Sequence, residues 1–216
     1  MPVKIDLTRF ESTIQSYERR PLIKGKILLY GSSFFTNWGY ERSQKQLSGI
    51  GGEEIATVNN GFGGSTGEEQ LYFYSRMVRP YEPKMIVLRG CVNDIARGYT
   101  PDEAVEMTMR LYAYAKADFP SVRFAVLKPF DYRSASPEIV EGMKYYNSKI
   151  DEYLPQYPDL YVIDINPLLY EKPEYIGTYT NFRPLFVTDG LHFTDNAYEN
   201  VFAPFFRSEC ERILAL

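Results

Sequence analysis

The feature that most constrains this chain is a regular alternation of short apolar runs with longer amphipathic segments. Lys26 to Tyr30, Met85 to Leu88, Val122 to Leu127 and Leu160 to Ile165 are apolar runs of strand length. Continuous runs of this kind suit strands covered on both faces, as in a parallel sheet. Glu54 to Val58 reads as a weaker strand of the same kind. Between these runs the apolar residues recur at three- and four-residue spacing. Residues 6–19 carry Leu7, Phe10, Ile14 and Tyr17 in that pattern and predict a helix that Pro21 ends. Further helices are predicted over Trp38 to Leu47, Glu68 to Val78, Pro101 to Asp118, Pro137 to Leu154 and Asp195 to Leu214. Thr100-Pro101-Asp102-Glu103 has the form of a helix start, with a capping hydroxyl, proline at the first position and acids in the first turn. Residues 166–188 are rich in Pro, Tyr and Gly and predict a long loop, either a lid over a site or a packed surface loop.

Strand and helix patterns alternating from end to end imply an α/β fold, a five-stranded parallel sheet with helices on both faces and right-handed crossovers. No repeat or linker interrupts the pattern, so residues 1–216 are expected to form one domain. In such sheets the loops after the carboxyl ends of the strands build the functional site.

Composition narrows the possible partners. The net charge is −4 and no cluster of Lys and Arg is long enough to make a basic face, which argues against a nucleic-acid partner. No run is long enough to cross a membrane, and Met1 to Asp6 lack the apolar core of a signal peptide, so a cytoplasmic location is expected. Two cysteines, Cys91 and Cys210, make no disulfide framework, and with a single histidine they make no usual zinc site. Neither a metal nor an organic cofactor is implied. The 19 Tyr and 14 Phe are mostly core material, and some of them can line a pocket.

The single histidine is His192, within Thr188-Asp189-Gly190-Leu191-His192. Any imidazole chemistry near neutral pH must use it. Asp189 lies three residues earlier, close enough to hold one ring nitrogen and leave the other free. Ser33 follows the first strand, a glycine-rich stretch from Asn59 to Gly67 follows the second, and Asn93 follows the third. The loop bearing Asp189 and His192 follows the fifth. All four therefore fall on the carboxyl edge of the sheet. A serine, a histidine, an aspartate, an asparagine amide and a glycine N–H are the parts that acyl transfer uses.

This set resembles the SGNH hydrolases, also called GDSL-type esterases. Their four sequence blocks correspond here to Gly31-Ser32-Ser33, Gly64, Asn93-Asp94 and Asp189-Gly190-Leu191-His192, in the family's order. The resemblance implies a flavodoxin-like three-layer α/β/α sandwich and a serine esterase acting on a small-molecule ester. It implies Ser33 as nucleophile, His192 as base, and Asp189 as the group that orients it. The oxyanion hole would combine the amides of Ser33 and Gly64 with the Asn93 side chain. Two departures stand out. Ser32 occupies the place of the family's Asp, and Gly90 lies three residues before Asn93 rather than two.

Other readings compete. Gly63-Gly64-Ser65-Thr66-Gly67 fits the nucleophile elbow of α/β-hydrolases, which would make Ser65 the nucleophile. Read as a phosphate cradle, the same stretch lacks a P-loop lysine and is followed by Glu68 and Glu69. Cys91 lies near the proposed site, either as a second nucleophile or as a small buried thiol. A non-catalytic protein binding a carboxylate or sugar on the same fold is the alternative of a different class. The sequence leaves open the acyl and alcohol parts of the substrate, with acetylated sugars, short acyl esters and lysophospholipids all possible. It also leaves open the balance of hydrolysis against acyl transfer, and the oligomeric state.

Overall fold

A computed structural model describes residues 6–215. The N-terminal stretch searched for a signal peptide lies outside them, apart from Asp6. Five parallel strands form one sheet: β1 (Ile27–Gly31), β2 (Thr57–Gly61), β3 (Met85–Arg89), β4 (Arg123–Leu127) and β5 (Leu160–Ile163). Their order is β2-β1-β3-β4-β5, the flavodoxin-like arrangement. The α/β fold expected from the alternation is the one observed.

The two-sided burial of the strands follows from their period of two. Ile27, Leu29, Met85, Val87, Ala125, Leu127 and Ile163 face one helical layer. That layer comprises α2 (Ser33–Trp38), α3 (Tyr40–Gln46) and the C-terminal helix. Leu28, Tyr30, Val58, Ile86, Leu88, Phe124 and Val126 face the other layer. It comprises α1 (Glu11–Glu18), α4 (Gly67–Met77), α6 (Pro101–Asp118) and α7 (Pro137–Tyr153). Short helices α5 (Val92–Ala96) and α8 (Asn166–Leu169) follow β3 and β5. The start at Thr100 is a full capping box, with Thr100 accepting from the Glu103 amide and Glu103 accepting from the Thr100 amide. The C-terminal helix begins as α9 (Asp195–Ala197), passes through a π-helical turn at Tyr198–Phe202, and continues as α10 (Ala203–Ala215).

Several boundaries differ from those read in the sequence. The first helix begins at Glu11 rather than at residue 6, because Asp6 turns the chain by accepting from the amide and hydroxyl of Thr8. The helix expected over Trp38 to Leu47 starts five residues earlier, at Ser33, and is broken at Gly39. The second strand is Thr57–Gly61 instead of Glu54 to Val58. An apolar pattern ends at Val58, yet Asn59 and Asn60 continue the strand because their side-chain amide N–H groups donate to backbone carbonyls. Asn59 Nδ2 donates to the Phe35 carbonyl at 2.8 Å and Asn60 Nδ2 donates to the Met77 carbonyl at 2.8 Å. Buried amides paired in this way carry no desolvation penalty large enough to expel them.

The Tyr-rich loop is packed, not raised as a lid. Tyr170 stacks on Phe182 with ring centroids 4.6 Å apart, and Phe186 lies 4.7 Å from Phe193. Antiparallel bridges join the same two pairs, and the Tyr170 hydroxyl donates to Asp131 at 2.6 Å. The loop thus joins the aromatic core just before the segment that carries Asp189 and His192.

The sheet is tightest where β1 ends. Gly31 has φ 145° and lies opposite Arg89 of β3, and a Cβ there would come within 2.2 Å of the Arg89 carbonyl oxygen. Only glycine accommodates both the conformation and the approach. Gly31→Ala should therefore destabilise the fold by about 3 kcal/mol or more, measured by chemical denaturation.

Candidate active site

The His192 imidazole is held from one side. Its Nδ1 is 2.6 Å from Asp189 Oδ2. The other carboxylate oxygen, Oδ1, accepts the backbone N–H groups of Leu191 at 2.8 Å and His192 at 2.9 Å. These backbone bonds, and then the contact with the ring, lower the Asp189 carboxyl to about 2, so it is ionised at any pH above that. The carboxylate therefore takes the Nδ1 proton as acceptor and leaves Nε2 free. Behind the segment, the Val187 amide donates to the His192 carbonyl at 2.8 Å, and Thr194 caps the following helix.

Ser33 is the first residue of α2, directly after β1, and is half-buried. Its neighbour Phe34 is the hub of the aromatic core, with Phe202 and Tyr198 at 5.4 Å and Phe130 at 5.6 Å between ring centroids. Packing of Phe34 fixes the turn that presents Ser33. The Tyr198 hydroxyl also donates to the Phe34 carbonyl at 2.9 Å. Ser33, His192 and Asn93 line one open pocket of about 360 Å³, with Phe34, Phe130 and Phe193 forming its apolar wall.

The glycine loop lies beside the same serine. A Cβ on Gly63 would be 3.8 Å from Ser33 Cβ. Gly64 follows with φ 80°, and its carbonyl accepts from Arg9 Nη2 at 2.7 Å. Arg9 also pairs with the buried Glu69, which in turn accepts from the Thr66 amide at 2.9 Å. The loop is thereby tied to a fixed helix start. In the sequence Arg9 reads as an ordinary surface charge, and Glu69 only as an acid that disfavours a phosphate.

Asn93 arrives by an unusual turn. Cys91 has φ 84° and ψ −59°, and the Val92 amide donates back to the Gly90 carbonyl at 3.3 Å. This is a γ-turn of the strained hand, rare for a residue with a side chain. The position two before Asn93, where the family pattern has glycine, is thus Cys91 in a conformation that glycine favours. Asn93 Nδ2 donates to the Ser65 carbonyl at 3.0 Å, which links the turn to the glycine loop. Asp94 adds a second link, accepting from the amides of Gly67 at 2.7 Å and Cys91 at 2.9 Å. Burial dominates its electrostatics and raises its carboxyl to about 7.

The competing nucleophiles are placed elsewhere. Ser65 is fully buried, and its hydroxyl donates to the Gly31 carbonyl at 3.3 Å and accepts from Gln70 at 3.1 Å. It is not among the residues that line the pocket holding His192. Cys91 is 2% exposed, and burial pushes its thiol well up, away from the reactive thiolate.

A family model for GDSL-like lipase/acylhydrolase proteins matches residues 30–205, most of the chain. The chain belongs to that family. It is accordingly a carboxylic ester hydrolase, and the reading as a non-catalytic binding protein falls. Among solved structures it is similar to a GDSL-like lipase from Bacteroides thetaiotaomicron. The identity there is 14% and the TM-score 0.72, covering 99% of this chain and 100% of the other. It is also similar to the psychrotrophic esterase EstA from a Pseudoalteromonas species (16% identity, TM-score 0.68, covering 89% and 100%). A third similar structure is a variant of an acetyl-xylooligosaccharide esterase from Geobacillus Stearmophilus (16% identity, TM-score 0.63, covering 88% and 96%). At these identities the likeness establishes the fold alone. No curated protein matches the chain. Among the described residues no helix of this family member is long and apolar enough to cross a membrane.

Two measurements check the local physics of the Cys91 turn. Cys91→Gly should fold with stability within about 1 kcal/mol of the parent, relief of strain offsetting the lost thiol packing, whereas Cys91→Val should lose about 2 kcal/mol or more. Asp94 binds its proton more tightly folded than unfolded, so the stability it contributes is full below about pH 4 and is lost as pH rises through about 7. Denaturation followed against pH should show this downward slope, and Asp94→Asn should flatten it.

Proposed function

We propose that this ester hydrolase works through an acyl-enzyme on Ser33, with His192 as proton carrier, Asp189 as its orienting partner, and a short acyl ester as substrate. The observation that carries the reading is the shared pocket. The half-buried Ser33 hydroxyl and the imidazole line one cavity, and the imidazole is the only one in the chain.

In the first half-reaction the Ser33 hydroxyl attacks the ester carbonyl while His192 Nε2 takes its proton. The new O–C bond makes a tetrahedral oxyanion. The Ser33 amide at the start of α2, the Gly64 amide and the Asn93 side-chain amide are the donors we assign to that oxyanion. Asn93 retains a second N–H beyond the one given to Ser65. His192 then returns the proton to the departing alcohol oxygen as the C–O bond breaks. In the second half-reaction water attacks the acyl carbon, His192 takes the water proton, and Ser33 leaves with it restored. Asp189 remains a carboxylate throughout and stabilises the imidazolium that forms in each half.

The Phe34, Phe130 and Phe193 wall and the small pocket favour an acetyl or other short acyl group over a long chain. Acetylated carbohydrate is one such class, and the acetyl-xylooligosaccharide esterase shares the fold.

Ser33→Ala and His192→Ala should each lower the turnover of p-nitrophenyl acetate by a factor on the order of 10⁴ while leaving the fold intact by circular dichroism. Near-normal turnover in either variant would remove the assignment. Ser65→Ala should retain turnover within about tenfold of the parent.

A further inference from the structure

One buried charge in the pocket has no use in the mechanism above. Arg89 ends β3 and is 4% exposed, yet it lines the same cavity as Ser33 and His192. The strand register sets it opposite Gly31, two residues before Ser33. Its guanidinium lies 4.6 Å from the centre of the Phe130 ring, and Nη1 donates to the neighbouring Gly90 carbonyl. Its Nε is buried and donates to no acceptor.

No carboxylate among the described residues pairs with this cation. The polar groups whose charge it feels are Cys91, Tyr146, Tyr132 and Asp94. The thiol and the phenols are neutral, because burial pushes each of them up. Asp94 is the one carboxyl among them, and it accepts from the Gly67 and Cys91 amides with no hydrogen bond or ion pair to Arg89. A buried cation without a contacting counter-ion costs several kcal/mol. An arginine does not escape that cost by losing its proton, since it stays charged in proteins. The cost is understandable where a ligand supplies the missing anion.

We propose that Arg89 anchors a carboxylate carried by the substrate, so that the esters this enzyme prefers bear a negative charge within a few bonds of the scissile carbonyl. The inference rests on the reading of Ser33 and His192 as the reacting pair and adds the substrate's charge to it. The planar guanidinium matches a carboxylate in two parallel hydrogen bonds. The aromatic wall keeps the pair out of bulk water, and the attraction is stronger in that lower-dielectric setting than in water. The protein as a whole repels anions, with a net charge of −4, so a preference for an anionic ester has to arise locally.

The test compares charged and neutral esters on the intact enzyme. Monoethyl succinate against diethyl succinate places the carboxylate on the acyl side. Acetoxyacetate against methyl acetoxyacetate places it on the alcohol side. Acid release gives kcat/KM for each. In one pair the charged member should be favoured by about tenfold or more, and Arg89→Met should reduce that ratio by a factor on the order of 100, largely through KM. Arg89→Lys, which keeps the charge, should retain part of the preference. The parent ratios alone decide the matter should the methionine variant fail to fold. Preference for the neutral member in both pairs overturns the proposal. So does an equal loss on charged and neutral esters in Arg89→Met, which would make Arg89 a group acting on the fold or the reacting carbonyl. Turnover of p-nitrophenyl acetate serves as the control: if it persists while the charged esters are refused, only the Arg89 assignment falls. If it is absent as well, the acyl-enzyme reading falls and takes this proposal with it.

Discussion

The pairing of β1 between β2 and β3 is the constraint on which the rest depends. Gly31 lies opposite Gly61 on one side and Arg89 on the other, so three strands end at one level. The turns that follow them carry Ser33, the glycine loop and Asn93. None of these turns could converge if the register slipped by a residue, because every side chain would then exchange faces. The close approach of Gly31 to the Arg89 carbonyl holds that register at the edge where the chemistry is placed.

Around this edge the protein keeps several buried polar groups, and each has a different compensation. Asn59 and Asn60 give their side-chain N–H groups to backbone carbonyls of the helices they touch. Asp94 is satisfied by two backbone amides and joins the glycine loop to the turn before Asn93. Glu69 is met by Arg9 and by its own capping box. Arg89 alone lacks a counter-ion in contact, and it is also the one that lines the pocket. The same region holds Cys91 in a conformation that few side chains adopt. Such costs are commonly retained at sites where geometry serves a reaction.

Much of this was legible in the sequence. The apolar runs located four of the five strands to within two residues, because strands buried on both faces leave an uninterrupted hydrophobic signal. The isolated histidine, with Asp189 three residues before it, pointed to the contact now seen at 2.6 Å. What pattern reading missed had local causes. Asn59 and Asn60 look like turn residues until their partners on neighbouring helices are known. The helix at Ser33 begins immediately after its strand and spans only six residues, too few for its inward Phe34, Phe35 and Trp38 and outward Thr36 and Asn37 to make a helical period. The long Tyr-rich loop could not be assigned between lid and packed segment, since its aromatics find their partners only through the fold. Arg89 stood in plain view at the end of an apolar run, but burial of a charge is visible only in three dimensions.

The most direct test of the central claim is covalent labelling with a fluorophosphonate, followed by peptide mass spectrometry of the intact, folded protein. The reagent reports a serine whose hydroxyl is activated and accessible, independently of which ester the enzyme prefers. The account predicts a single adduct, on the peptide bearing Ser33, and its loss in His192→Ala. An adduct on Ser65, or none on folded protein that still hydrolyses p-nitrophenyl acetate, would contradict it.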